Sequence, residues 1–157
     1  MKTAMFGRNV RCASQISCGI LVGVALTVLA LELALRSLDG PHYILVRQAE
    51  YESFTWFIGA VFAVTLIAVV MAVIQAYNTD RSQLRPTVIA LALILAAVVV
   101  TLVVNGPINL EQRGWSAQSP PTDWARLRDR WQIAHAIRTA ALCAALGYLT
   151  IGQRRER

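Results

Sequence analysis

Thr55–Ala76 reads TWFIGAVFAVTLIAVVMAVIQA, and no side chain in it carries a charge. At about 1.5 Å of rise per residue, a helix of that length covers the roughly 30 Å of hydrocarbon in a bilayer. Two more runs share its character. Ile16–Leu35 holds one charge, Glu32, and Thr87–Val104 holds none. A fourth, about 131–151, reaches spanning length only if His135 and Arg138 lie within it. Composition agrees, with 56% hydrophobic and 15% charged residues and a mean hydropathy of +0.51. These values belong to multi-spanning membrane proteins rather than soluble domains. The expected fold is all-α, an integral membrane four-helix bundle. Its helices fall at about 16–36, 54–77, 87–105 and 123–151, in a single domain over 1–157.

Lys2, Arg8 and Arg11 precede the first apolar run, as in a signal peptide. That run is too long for a typical signal core, and no small-x-small cleavage site follows it, so an uncleaved helix is expected. Eight basic residues (Lys2, Arg8, Arg11, Arg81, Arg85, Arg154, Arg155 and Arg157) fall on the side of the tails and of the second loop. The other seven fall on the opposite side, where the loops are longer and all acidic residues except Asp80 and Glu156 lie. The positive-inside rule then puts both termini in the cytoplasm of a bacterial-type plasma membrane. The net charge of +6 falls wholly on that face. It suits anionic lipid headgroups. No basic patch on a soluble domain points to nucleic acid. Cys12, Cys18 and Cys143 form no CxxC pair and imply neither a disulfide framework nor a zinc site.

Along the chain, Gly19 and Gly23 form a GxxxG pattern continued by Ala30 and Ala34, which favours close helix packing. Glu32 and Arg36 stand four apart, either as an interfacial pair or with Glu32 turned inward as a site carboxylate. Asp39-Gly40-Pro41 reads as a turn, and His42–Ser53 as an amphipathic lead-in to the second span. Phe54, Trp56 and Phe57 mark the membrane interface. Residues 78–86 read as a polar loop. Asn105-Gly106-Pro107 is expected to end the third helix, with an irregular stretch to Pro121. Thr122 or Asp123 can cap the fourth helix.

Trp124, Arg128, Trp131, His135 and Arg138 recur at spacings of four, three, four and three, on one helical stripe. An ionisable seam entering a bilayer is costly, so it faces the bundle and marks a candidate site. A neutral imidazole beside a buried cation suits a general base, and a guanidinium suits an oxyanion. Asn105 and Asn109 lie at the same depth; they either position a ligand or cap backbone groups. Asp129 is expected to pair with Arg126 or Arg130 on the exposed side. A metal site would need His42 and the distant Glu32 beside His135, a weak ligand set, so the metal expectation is none.

Asn105-Gly-Pro107-Ile-Asn109, followed by Asp123-Trp124-Ala-Arg126-Leu-Arg128-Asp-Arg130-Trp131-Gln-Ile-Ala-His135-Ala-Ile-Arg138, resembles the signature of the DUF1772, or anthrone oxygenase-like, membrane proteins. The first loop, Leu38-Asp-Gly-Pro41-His-Tyr43-Ile-Leu-Val-Arg47-Gln48, fits the same pattern, except that His42 is not reliably histidine there. The resemblance runs from about Gly23 to the end of the fourth helix. It implies a four-helix membrane fold. It also implies the activity of the fungal members, oxidation of polyketide anthrones to anthraquinones by molecular oxygen with no evident cofactor. On that reading His135 removes a proton, Arg138 holds the oxyanion, Trp124 and Trp131 stack on the rings, and Arg128, Asn105 and Asn109 bind the substrate. The partners expected are the bilayer and a lipophilic aromatic molecule, with a homo-oligomer or larger membrane complex open. The alternative is a non-enzymatic subunit that binds a lipid or quinone, or packs within a membrane complex.

Overall fold

The computed structural model describes residues 2–151. Arg154, Arg155 and Arg157, part of the basic count above, lie outside the described residues. Helix α1 is Lys2–Ala34, closed by a 3₁₀ turn at Leu35–Ser37; α2 is Gly40–Thr79 and α3 is Arg81–Val100. A π-helical turn at Thr101–Asn105 joins α3 to α4, Gly106–Arg113, and α5 is Trp124–Ile151. No strand occurs among the described residues, and four segments are long and apolar enough to cross a membrane: Gly7–Ser37, Phe54–Thr79, Arg81–Arg113 and Trp124–Ile151.

Packing runs in a ring, α1 on α2, α2 on α3, α3 on α5 and α5 back on α1. The inner stripe of α3 is Gln83, Thr87, Ala90, Ile94 and Ala97, at spacings of three and four that keep one face inward. It meets Cys18, Leu21, Val22 and Ala25 of α1, Val69 of α2, and Leu142, Ala145 and Leu149 of α5. Small residues in this core let the helices approach, which matters because lipid tails remove the hydrophobic drive between helices. Large apolar side chains such as Val64, Ile67, Leu102 and Ile137 point outward instead. The Thr65 hydroxyl donates to the Ser17 carbonyl at 3.1 Å, tying α1 to α2 inside the apolar layer.

Several sequence expectations change here. Residues 78–86 are helical except for Asp80, whose carboxylate accepts the Ser82 amide and starts α3. Beyond the apolar run polar residues extend a helix into water as readily as they form a loop. Gly106-Pro107 does not end the third span. Pro107 falls at the start of α4, where a missing N–H costs nothing, so the chain stays helical to Arg113. The glycine stripe of α1 faces outward, and a Cβ added at Gly19 or Gly23 would meet nothing within 4 Å. Gly40 is needed in a different way. A Cβ there would stand 3.0 Å from the Trp124 indole nitrogen, so its absence lets the start of α2 lie against the start of α5.

Candidate functional site

The α5 stripe turns inward. Trp131 and His135 are buried, while Trp124, Arg128 and Arg138 are half-buried. The Trp131 and His135 rings stack with centroids 5.0 Å apart and planes 12° from parallel, as side chains one turn apart can. Arg138 Nε donates to His135 Nδ1 at 2.9 Å, and Arg138 Nη1 donates to the Thr101 hydroxyl at 3.0 Å. His135 Nε2 lies 2.9 Å from the Ala25 carbonyl. A guanidinium only donates and a carbonyl only accepts, so this geometry sets a neutral ring with its proton on Nε2. Both ring nitrogens are thereby engaged, and the lone pair that a base needs faces Arg138.

Asn105 and Asn109 do more than cap a helix end. Asn105 Nδ2 donates to the Trp131 carbonyl at 3.0 Å, and Asn109 Oδ1 accepts from the Trp131 indole at 2.7 Å. Both therefore clamp α5 to the turn region after α3. Arg128 lies over the Trp124 ring and pairs with Asp129, which also takes Arg36. Asp129 thus corrects the expected pairing with Arg126 or Arg130; Arg126 turns to Asp123 instead. His42 is exposed in the cap of α2, its ring against Asp39, and the fold does not bring it to His135. The His42 backbone N–H, and then its ring, hold the Asp39 carboxyl below its ordinary range.

Around Trp131 stands a set of residues that the stripe alone did not reveal. Glu32 is fully buried, and Arg47 Nη1 lies 2.9 Å from its Oε1. The same guanidinium reaches Glu50 at 2.8 Å, Gln112 at 3.4 Å and Asn109 at 3.3 Å, and its carbon sits 4.4 Å from the centre of the Trp131 ring. Gln132 donates to the Glu32 carbonyl and carboxylate, and the Tyr43 hydroxyl points at the same carboxylate from 3.4 Å. Burial, then the Glu32 charge, push the Tyr43 phenol well above its ordinary value. Burial also raises the Glu50 carboxyl, against the pull of Arg47. One signal for the pair was available. Glu32 and Arg47 are nearly equidistant from the Asp39-Gly40 turn, and an antiparallel helix hairpin lays such positions side by side.

The cavity among Arg47, Gln48, Tyr51, Asn109, Gln112 and Arg113 measures about 10 Å³, room for one water.

The family model for anthrone oxygenase matches residues 48–148. The chain belongs to that family. No curated protein and no solved structure matches. The anthrone oxygenase match takes in Asn105, Asn109 and the whole α5 stripe, and begins directly after Arg47, leaving Glu32 and Arg47 outside it.

Proposed function

We propose that the protein oxidises a lipophilic phenolic or anthrone-type substrate with molecular oxygen. Family membership supports this reading, and the contact between Arg138 and His135 Nδ1 carries it. That contact joins a fixed cation to the lone pair of a neutral imidazole. A substrate oxygen arriving at the seam would draw the guanidinium to itself and leave Nδ1 free. His135 would then take a proton from the carbon opposite the carbonyl, with Arg138 on the oxygen where the charge gathers. The carbanion gives its electrons to oxygen. Overall a CH2 group and one O2 become a C=O group and one water. Half-buried Trp124 offers an aromatic surface to the rings, and Trp131 would join it once a substrate displaces Arg47 from its face. Asn105 Oδ1, buried and without a partner among the described residues, offers an acceptor to a phenol hydroxyl.

Oxygen uptake by the purified protein with a simple anthrone tests the reading. Wild type is expected to consume oxygen in step with quinone appearance, above spontaneous oxidation. His135→Gln is expected to fall to the spontaneous rate while keeping its helical content. Wild-type uptake at the spontaneous rate would instead favour a non-enzymatic membrane subunit. The contacts of Glu32, Arg47 and Gln132 across three helices favour that second reading, because such a polar cluster also serves as a pin between helices.

A further inference from the structure

The face of α5 turned away from the polar seam is ordered in a specific way. Arg126, Arg130, Ile133 and Ile137 follow one another at spacings of four, three and four, and all are exposed. Two cations come first and an apolar rail follows, with Ala140 and Ala144 continuing it outward-facing. Ala125, Arg126, Asp129, Arg130 and Ile133 line an open groove of about 580 Å³ on this face. Asp129 does not oppose an anion there, because Arg36 and Arg128 hold it at 3.2 and 3.0 Å. Arg126 has the exposed Asp123, and Arg130 makes no ion pair among the described residues. On this face Arg126 and Arg130 thus stand against Asp123 alone, because Asp129 is taken up by Arg36 and Arg128.

We propose that this groove binds an anionic phospholipid, its phosphodiester between Arg126 and Arg130 and an acyl chain along Ile133 and Ile137. Charge complementarity selects the headgroup, and arginine presents a planar set of donors that fits phosphate oxygens. Continuity with the rail selects a lipid over a soluble phosphate. Ile133 is 63% exposed and Ile137 57%, apolar area that a chain can cover and a free ion cannot. The site is independent of any chemistry at His135, since it lies on the other side of the helix.

Native mass spectrometry of the whole protein released from mixed micelles tests the site, with phosphatidylglycerol and phosphatidylcholine as probes. Wild type is expected to retain phosphatidylglycerol over phosphatidylcholine by roughly tenfold, as two interfacial arginines allow. The double variant Arg126→Gln/Arg130→Gln is expected to lose that preference. Arg85→Gln, an exposed cation at the opposite end of the bundle, is expected to keep it. Ile133→Ser, which leaves the cations in place, is expected to weaken retention. Soluble glycerol phosphate is expected not to displace the lipid. Equal retention of the two lipids, unchanged preference in the double variant, or displacement by glycerol phosphate at equal concentration would each overturn the assignment. All the substituted side chains are exposed, so unchanged circular dichroism is expected throughout.

Discussion

Glu32 carries the largest expected single-residue effect. It is fully buried, its charge is met by Arg47, and Glu32→Gln leaves that guanidinium with only the partly exposed Glu50 as counter-charge. Breaking one partner of a buried pair typically costs about 3–5 kcal/mol. Thermal unfolding in detergent is expected to show a loss of that size, and a drop below about 1 kcal/mol would mean that Glu50 alone suffices. Glu50 should act through pH. Burial raises its carboxyl above the ordinary 4.5, so the folded chain holds the proton more tightly than the unfolded one. The stability this adds is complete below the ordinary value and is lost as pH rises through the raised one. Wild type is therefore expected to lose stability relative to Glu50→Gln as pH climbs through that window. A constant gap between the two proteins would count against it. At this scale the sequence was half legible. The spacing of Trp131, His135 and Arg138 told which face they share, because a helix repeats every 3.6 residues. It could not tell that Arg138 would spend its Nε on His135, since rotamers and cross-helix partners lie outside periodicity.

The spans followed from the apolar runs, but the helix boundaries did not, since α1 begins at Lys2 and α2 at Gly40, well ahead of those runs, and the junction after α3 was not legible either. Gly-Pro is a stop signal in a regular helix, whereas a wide turn at Thr101–Asn105 resets the register and puts Pro107 where no amide is needed. That turn has a use. It aims the Thr101 hydroxyl at Arg138 and the Asn105 amide at the Trp131 carbonyl. Two substitutions separate these roles. Pro107→Ala is expected to change stability by less than about 1 kcal/mol, because the ring replaces no hydrogen bond. Asn105→Leu removes a buried bond between α5 and the π turn, and is expected to cost about 1–3 kcal/mol. Chemical denaturation of the two variants in one detergent reads both. Equal losses would mean that the proline, too, holds the turn in place.

For the whole molecule, four spans and an all-α fold were readable because hydrocarbon thickness leaves few choices for an uncharged run of helical length. The ring order of the helices was not, since the small-residue stripe of α1 faces outward while α1 packs through Cys18, Leu21, Val22 and Ala25. An even number of spans brings the two ends of the chain to one end of the bundle, where Gln15 of α1 donates to the Leu149 carbonyl near the end of α5. The loop containing Ser119 lies between the third and fourth spans, at the other end. Arg8, Arg11, Arg81 and Arg85 stand with the tails, and the rule that counts Lys and Arg near span ends predicts that this side faces the cytoplasm. The acidic side chains there do not weaken the assignment, because the rule is not one of net charge. A phosphatase reporter, active only outside the cytoplasm, is expected to be active when inserted at Ser119 and inactive when fused after Arg157. A fluorescent reporter that matures only in the cytoplasm should give the reverse. Equal signals from the two positions would remove one span. Reversed signals would keep all four spans and turn the polar cluster of Glu32, Arg47 and Trp131 toward the cytoplasm.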